Sequence, residues 1–181
     1  MGCGCGKNKE HARAIVAGSV VDSIDVDEWG PAYWHVLHCL AHNIGKIDDP
    51  INCNDQARAL EYLVGNLGFV LPCNECQGHA RDYFQANRFS LVGLRGATLR
   101  GVAELWLLNF HNAVRERNKQ AIIVSTVDEL AGVYDGCTII KCTEDILGRA
   151  AKYAMDHGIV KAAAWKRWTT EFRRLKLSVG I

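Results

Sequence analysis

The sequence predicts an all-α protein: a four-helix bundle with a short fifth helix and a helical C-terminal extension. Three observations carry this. Apolar residues recur at helical spacing in long segments, as in Trp34, Leu37, His38 and Ala41. Short loops join those segments, which makes neighbouring helices antiparallel. At 181 residues, with 49% hydrophobic and 23% charged, the chain can bury a real core. Three regions are expected: an arm over 1–25, the bundle over 26–135 and the extension over 136–181.

The arm begins Met-Gly-Cys-Gly-Cys-Gly and reads as flexible, rich in glycine and without helical periodicity. Gly2 stands where myristoylation occurs, with Cys3 and Cys5 placed for palmitoylation, although Gly6 replaces the usual Ser/Thr. A membrane anchor, a mobile Cys3-x-Cys5 dithiol and an idle arm are the three readings of this stretch.

The first helix is expected from Asp25, with acid from Asp27 or Glu28 at its start and Pro31 tolerated only within the first turn. Trp34 and His38 are four apart and project from one stripe, an aromatic wall with a polar handle. The plainer reading makes Trp34 core and His38 a satisfied buried histidine. Residues 48–54 read as a loop containing Cys53. Asp55 is then the expected cap of a second helix running towards Leu71, weakened late by Gly65 and Gly68.

Pro72-Cys73-Asn74-Glu75-Cys76, followed by His79, is the stretch with the most chemistry. Pro72 fixes its own φ and pushes Leu71 to an extended conformation, so a helix starts at or near Cys73. Cysteines three apart on the first turn are close enough to bond each other. The free N–H groups and the positive end of the helix dipole stabilise a thiolate there. The pattern reads as a dithiol/disulfide switch. Its rivals are an inert structural pair and a zinc site of Cys73, Cys76 and His79, with a fourth ligand from Cys53, Cys39 or a distant histidine. A thioredoxin-type motif fits less well, because the flanks are helical.

A loop over 87–96 precedes a long helix over 98–119, in which His111 and Arg115 are four apart. Residues 128–134 are the short fifth helix. Beyond Gly136, Cys137 and Cys142 bracket an apolar segment, and helices are expected over 143–157 and 160–176. In the last, Trp165, Trp168, Phe172 and Leu175 form one stripe among basic residues. That stripe is expected to pack on the bundle or on a second subunit, and a membrane-surface helix is the rival. Cys39 reads as a small buried hydrophobe.

Composition narrows the function. A formal charge of +1 argues against nucleic acid as the main partner. No secretory leader or membrane-spanning run is apparent, so the eight cysteines are expected to be redox-active or reduced in a cytoplasmic setting.

Three blocks, in order, carry a resemblance. They are Trp29-Gly30-Pro31-Ala32-Tyr33-Trp34-His35-Val36-Leu37-His38, then Leu71-Pro72-Cys73-Asn74-Glu75-Cys76-Gln77-Gly78-His79, then Trp106-Leu107-Leu108-Asn109-Phe110-His111-Asn112-Ala113-Val114-Arg115. Together they resemble the Erv/ALR family of FAD-linked sulfhydryl oxidases over roughly residues 26–135. The resemblance implies a helical bundle binding FAD, a homodimer, protein dithiols as substrates and O₂ as acceptor, giving H₂O₂. It implies Cys73 facing incoming electrons and Cys76 against the flavin. Gly30, Tyr33, Trp34, His38 and His79 are implied around the cofactor, with Trp34 and His38 at the flavin end. Trp106, His111, Asn112, Val114 and Arg115 are implied too, with His111, Asn112 and Val114 at the adenine end. No metal is expected.

The resemblance has departures. Arg115 stands where the family's usual Asn does, and a guanidinium there could serve a phosphate oxygen instead. The family's staple near the third block is absent, since Leu108 and the 121–127 stretch supply no cysteine. Accessory variation of this kind suggests a viral member, placed in the host cytoplasm or the virion. Cys137/Cys142 and Cys3/Cys5 compete for the role of shuttle to the central pair. The competing classes are a zinc-stabilised helical adaptor and a dimerisation protein without cofactor.

Overall fold

The computed structural model describes residues 25–181, and all of its regular structure is helical. Gly2, Cys3 and Cys5, with the readings placed on them, lie outside the described residues. Eight helices follow one another: α1 Val26–Asn43, α2 Pro50–Gly65, α3 Leu67–Val70, α4 Asn74–Ala86, α5 Gly96–Arg117, α6 Val127–Tyr134, α7 Lys141–Asp156 and α8 Ala162–Val179.

α1 is the hub, in contact with α2, α5, α6, α7 and α8. Its Asp25 cap accepts from the Asp27 N–H at 2.9 Å, and its core face runs through Val36, Leu37, Leu40 and Ala41, all essentially inaccessible. Pro31 lies inside α1, in the second turn rather than the first. It leaves the carbonyl of Asp27 without a helical donor, a cost reduced because Asp27 is exposed and water can take that bond.

The second helix starts earlier than expected. Asp49 caps it, accepting from Asn52 N–H at 2.7 Å, and Pro50 occupies the first helical position, where a missing N–H costs nothing. Cys53 is therefore a fully buried helical residue, not a loop residue. The α1–α2 turn presses on the start of α5. A Cβ at Gly45, at φ +65°, would collide with the carbonyl oxygen of Gly96. α2 breaks at Asn66, and α3 carries the chain on to the cysteine pair.

The C-terminal helices belong to the same core. Trp168, Phe172 and Leu175 of α8 are buried in one cluster with Leu60, Leu63 and Val64 of α2, and the Trp168 indole N–H donates to the carbonyl of Leu63 at 3.0 Å. The aromatic stripe thus packs on the bundle, and the membrane-surface reading loses its apolar face. Among the described residues no helix is long and apolar enough to cross a membrane.

Candidate active site

Leu71 is extended (φ −64°, ψ 139°) ahead of Pro72, and Cys73 is the N-cap of α4 rather than its first residue. The Cys73 sulfur accepts the backbone N–H of Cys76 at 3.1 Å. The two cysteines form a disulfide with Cα atoms 5.2 Å apart. A sulfur held this way gains from the N–H and the helix dipole whenever it is ionised. The zinc reading fails on geometry. The two sulfurs bond each other, His79 Nε2 lies 3.7 Å from Glu75, and among the described residues no cluster of His, Cys, Asp or Glu could hold a metal ion.

Beside the pair opens a cavity of about 420 Å³ between α1, α3, α4 and the C-terminal end of α5. Cys76 and His79 line it from α4, Trp34 and Gly30 from α1, and Phe110, His111 and Arg115 from α5. Cys73 is half-buried and does not line it. One wall is aromatic. Trp34 stacks on His111, and His38, itself buried, meets His111 through Nε2 and Nδ1 at 3.1 Å. Burial holds His38 down to about 3, helped by His111 and His35, and holds His111 down to about 4, helped by Arg115. Both rings are neutral at pH 7, so one donates and the other accepts. His38 Nδ1 is buried without a partner, so the plain reading of a satisfied histidine does not hold.

The model of the Erv1/Alr family matches residues 31–131. A protein of Invertebrate iridescent virus 3, named as a candidate FAD-linked sulfhydryl oxidase, is 34% identical over 67% of this chain and 78% of its own. The FAD-linked sulfhydryl oxidase of African swine fever virus is 30% identical over 64% of this chain and 87% of its own. The chain belongs to the Erv1/Alr family. No solved structure matches it significantly.

Within this Erv1/Alr protein the remaining residues singled out in the sequence fall into two groups. Val114 lines the cavity, as does Tyr33, whose buried hydroxyl donates to the carbonyl of Val70 at 3.0 Å and so ties α1 to the approach of the cysteine loop. Asn112 and Trp106 do not line it. Asn112 donates to the Val124 carbonyl at 3.0 Å, and Trp106 packs among Tyr83, Phe84 and Phe89 with its indole nitrogen unpartnered. Arg115 Nε donates to the Ala121 carbonyl at 2.8 Å, so Arg115 and Asn112 both anchor the segment leading to α6. Trp34, His38 and His111, expected at opposite ends of a dinucleotide, form one contiguous cluster. Tyr134, at the end of α6, lines the cavity and lies 5.2 Å from the His38 ring, and sequence reasoning missed it. A lone tyrosine closing a short amphipathic helix gives no signal of its own.

The outlying cysteines correct two expectations. Cys137 bonds Cys39, not Cys142, with Cα atoms 5.9 Å apart. Cys39 is thus no inert hydrophobe. Its sulfur leaves α1 on the side where the segment after α6 passes, and Asn43, one turn on, donates to the Cys39 carbonyl at 2.8 Å and approaches the Cys137 sulfur at 3.4 Å. The structure holds Cys137 bonded to Cys39 and shows no Cys137–Cys142 disulfide. The bond fastens a residue beyond the family match to the central helix.

Proposed function

We propose that this chain is a FAD-dependent sulfhydryl oxidase that makes disulfides in protein dithiols and delivers the electrons to O₂, giving H₂O₂. One observation carries the reading: of two bonded cysteines, only the second lines the cavity. The cavity suits FAD in kind. Its volume is that of a cofactor site, its Trp34–His111 wall is flat enough for a ring system, and Arg115 and Arg117 at one side can meet phosphate oxygens. Gly30 leaves bare backbone where a Cβ would meet nothing closer than Val26 at 4.0 Å, so ring atoms can approach.

The chain's own residues then divide the work. A substrate thiolate attacks the Cys73 sulfur and displaces Cys76 as a thiolate. The substrate's second thiolate attacks the mixed disulfide and displaces Cys73, leaving a substrate disulfide and a reduced pair. The Cys76 N–H and the start of α4 favour negative charge on the Cys73 sulfur. FAD held in this cavity would supply the two-electron chemistry that links the reduced pair to O₂, with H₂O₂ as the product once two protons are added. Trp34 and His111 would present a flat face to the rings, His38 braces His111 through their ring-nitrogen contact, and Leu37, Leu67 and Leu71 give the lining its apolar part. The oligomer we propose is a homodimer, on family resemblance, and a monomeric mass in solution would overturn it.

The deciding experiment is the visible spectrum and oxygen uptake of the purified protein with a dithiol. A yellow protein that consumes O₂, and a Cys76→Ser variant that stays yellow but turns over at background rate, are expected. A folded colourless protein that takes up no added FAD rejects the reading.

A further inference from the structure

Gln77 follows Cys76 directly, yet its side chain points away from the cavity and is buried. Its amide nitrogen donates to two carbonyls: that of Leu71 at 2.9 Å, two residues before Cys73, and that of Ile159 at 3.2 Å, in the turn between α7 and α8. A primary amide has two N–H donors, and here both are spent. The far anchor is firm. The Ile159 N–H bonds the Ala154 carbonyl at 2.8 Å, Val160 is buried, and α8 is fixed to α2 through Trp168. The near anchor matters because Leu71 sets the approach of Pro72 and Cys73, and so decides whether the Cys73 sulfur meets the Cys76 N–H.

We propose that Gln77 is a positioning residue that couples the C-terminal helices to the cysteine pair, bracing the 71–73 loop so that the Cys73 sulfur keeps its N–H donor. The brace comes from residues beyond the family match, which ends at residue 131. The inference rests on the oxidase reading for its purpose, but it concerns the sulfur pair alone. Without the brace the loop relaxes, the ionised Cys73 sulfur loses part of a charge-assisted hydrogen bond, and the disulfide form gains over the dithiol.

The test equilibrates full-length protein anaerobically with glutathione buffers, traps free thiols and reads the Cys73/Cys76 peptide by mass. Gln77→Met keeps the length and removes both donors. Its reduction equilibrium is expected to shift towards the disulfide by roughly tenfold. Gly158→Val strains a turn residue at φ +68° that presents the Ile159 carbonyl, and should shift the equilibrium the same way by a few-fold. An unchanged Gln77→Met, or a shift in Gln77→Met with none in Gly158→Val, overturns the coupling. If Gly158→Val does not fold, exchange of the Gln77 side-chain amide protons in the wild type decides: protection supports the brace, free exchange overturns it. A wild type that never holds FAD counts against the oxidase reading and leaves this outcome standing, because glutathione exchange reads sulfur only.

Discussion

Trp34 lies flat against His111, ring centroids 4.1 Å apart and planes 6° from parallel, although 77 residues separate them in the chain. The pair joins α1 to α5 at the cavity wall, and His38 holds it from behind. Trp34→Ala removes the larger face of this slab. Flavin retained through purification, read as visible absorbance per protein, is expected to fall at least about tenfold, in line with the worth of a buried aromatic contact. Retention at the wild-type level would show that the wall does not hold the cofactor.

Gly30 separates binding from folding. Glycine inside a helix costs roughly 0.5–1 kcal/mol relative to alanine, and no neighbour crowds a Cβ there. Gly30→Ala should therefore raise the unfolding midpoint of protein stripped of flavin while weakening FAD binding, because the new methyl enters the cavity. Fluorescence titration with FAD checks the second effect. Stronger or unchanged binding would remove Gly30 from the site.

The two buried histidines set a pH dependence. His38 and His111 are held down to about 3 and about 4 from 6.5, chiefly by burial, so the unfolded chain binds protons that the folded chain refuses. Their contribution is complete above pH 6.5 and is lost as pH falls from there towards 4, by up to about 1.4 kcal/mol per pH unit for each ring. Urea midpoints should drop between pH 7.5 and 5, and the slope should lessen in His38→Gln. A midpoint flat across that range would mean that the histidines are not desolvated.

Much of this was legible in the chain because local chemistry fixed it. Helical spacing placed Trp34 with His38, and Pro72 ahead of Cys73 placed a thiol at a helix start. What escaped depended on contacts between distant segments. Asp49 rather than Asp55 caps α2, since Pro50 suits the first helical position, and Cys53 consequently turns inward. The motif does not announce that Asn112 also donates to the Val124 carbonyl and so ties down the segment leading to α6. No periodicity announces that Gln77 reaches Ile159, or that Cys39 meets Cys137 rather than leaving Cys137 to Cys142.

That last bond yields a prediction separating scaffold from shuttle. Cys39 and Cys137 are 98 residues apart, so their link removes much freedom from the unfolded chain, and it ties the segment before α7 to the central helix. Losing it should cost about 2–5 kcal/mol, or roughly 2–4 °C of melting temperature per kcal/mol for a domain of this size. If the bond is only a staple, Cys39→Ser and the double variant Cys39→Ser/Cys137→Ser should melt earlier yet oxidise both dithiothreitol and a reduced protein at wild-type rates below the transition. A selective loss of activity towards the protein substrate, with dithiothreitol unaffected, would instead make this pair a relay to Cys73. The comparison of the two substrates, together with the melting curve, reads both outcomes in one set of variants.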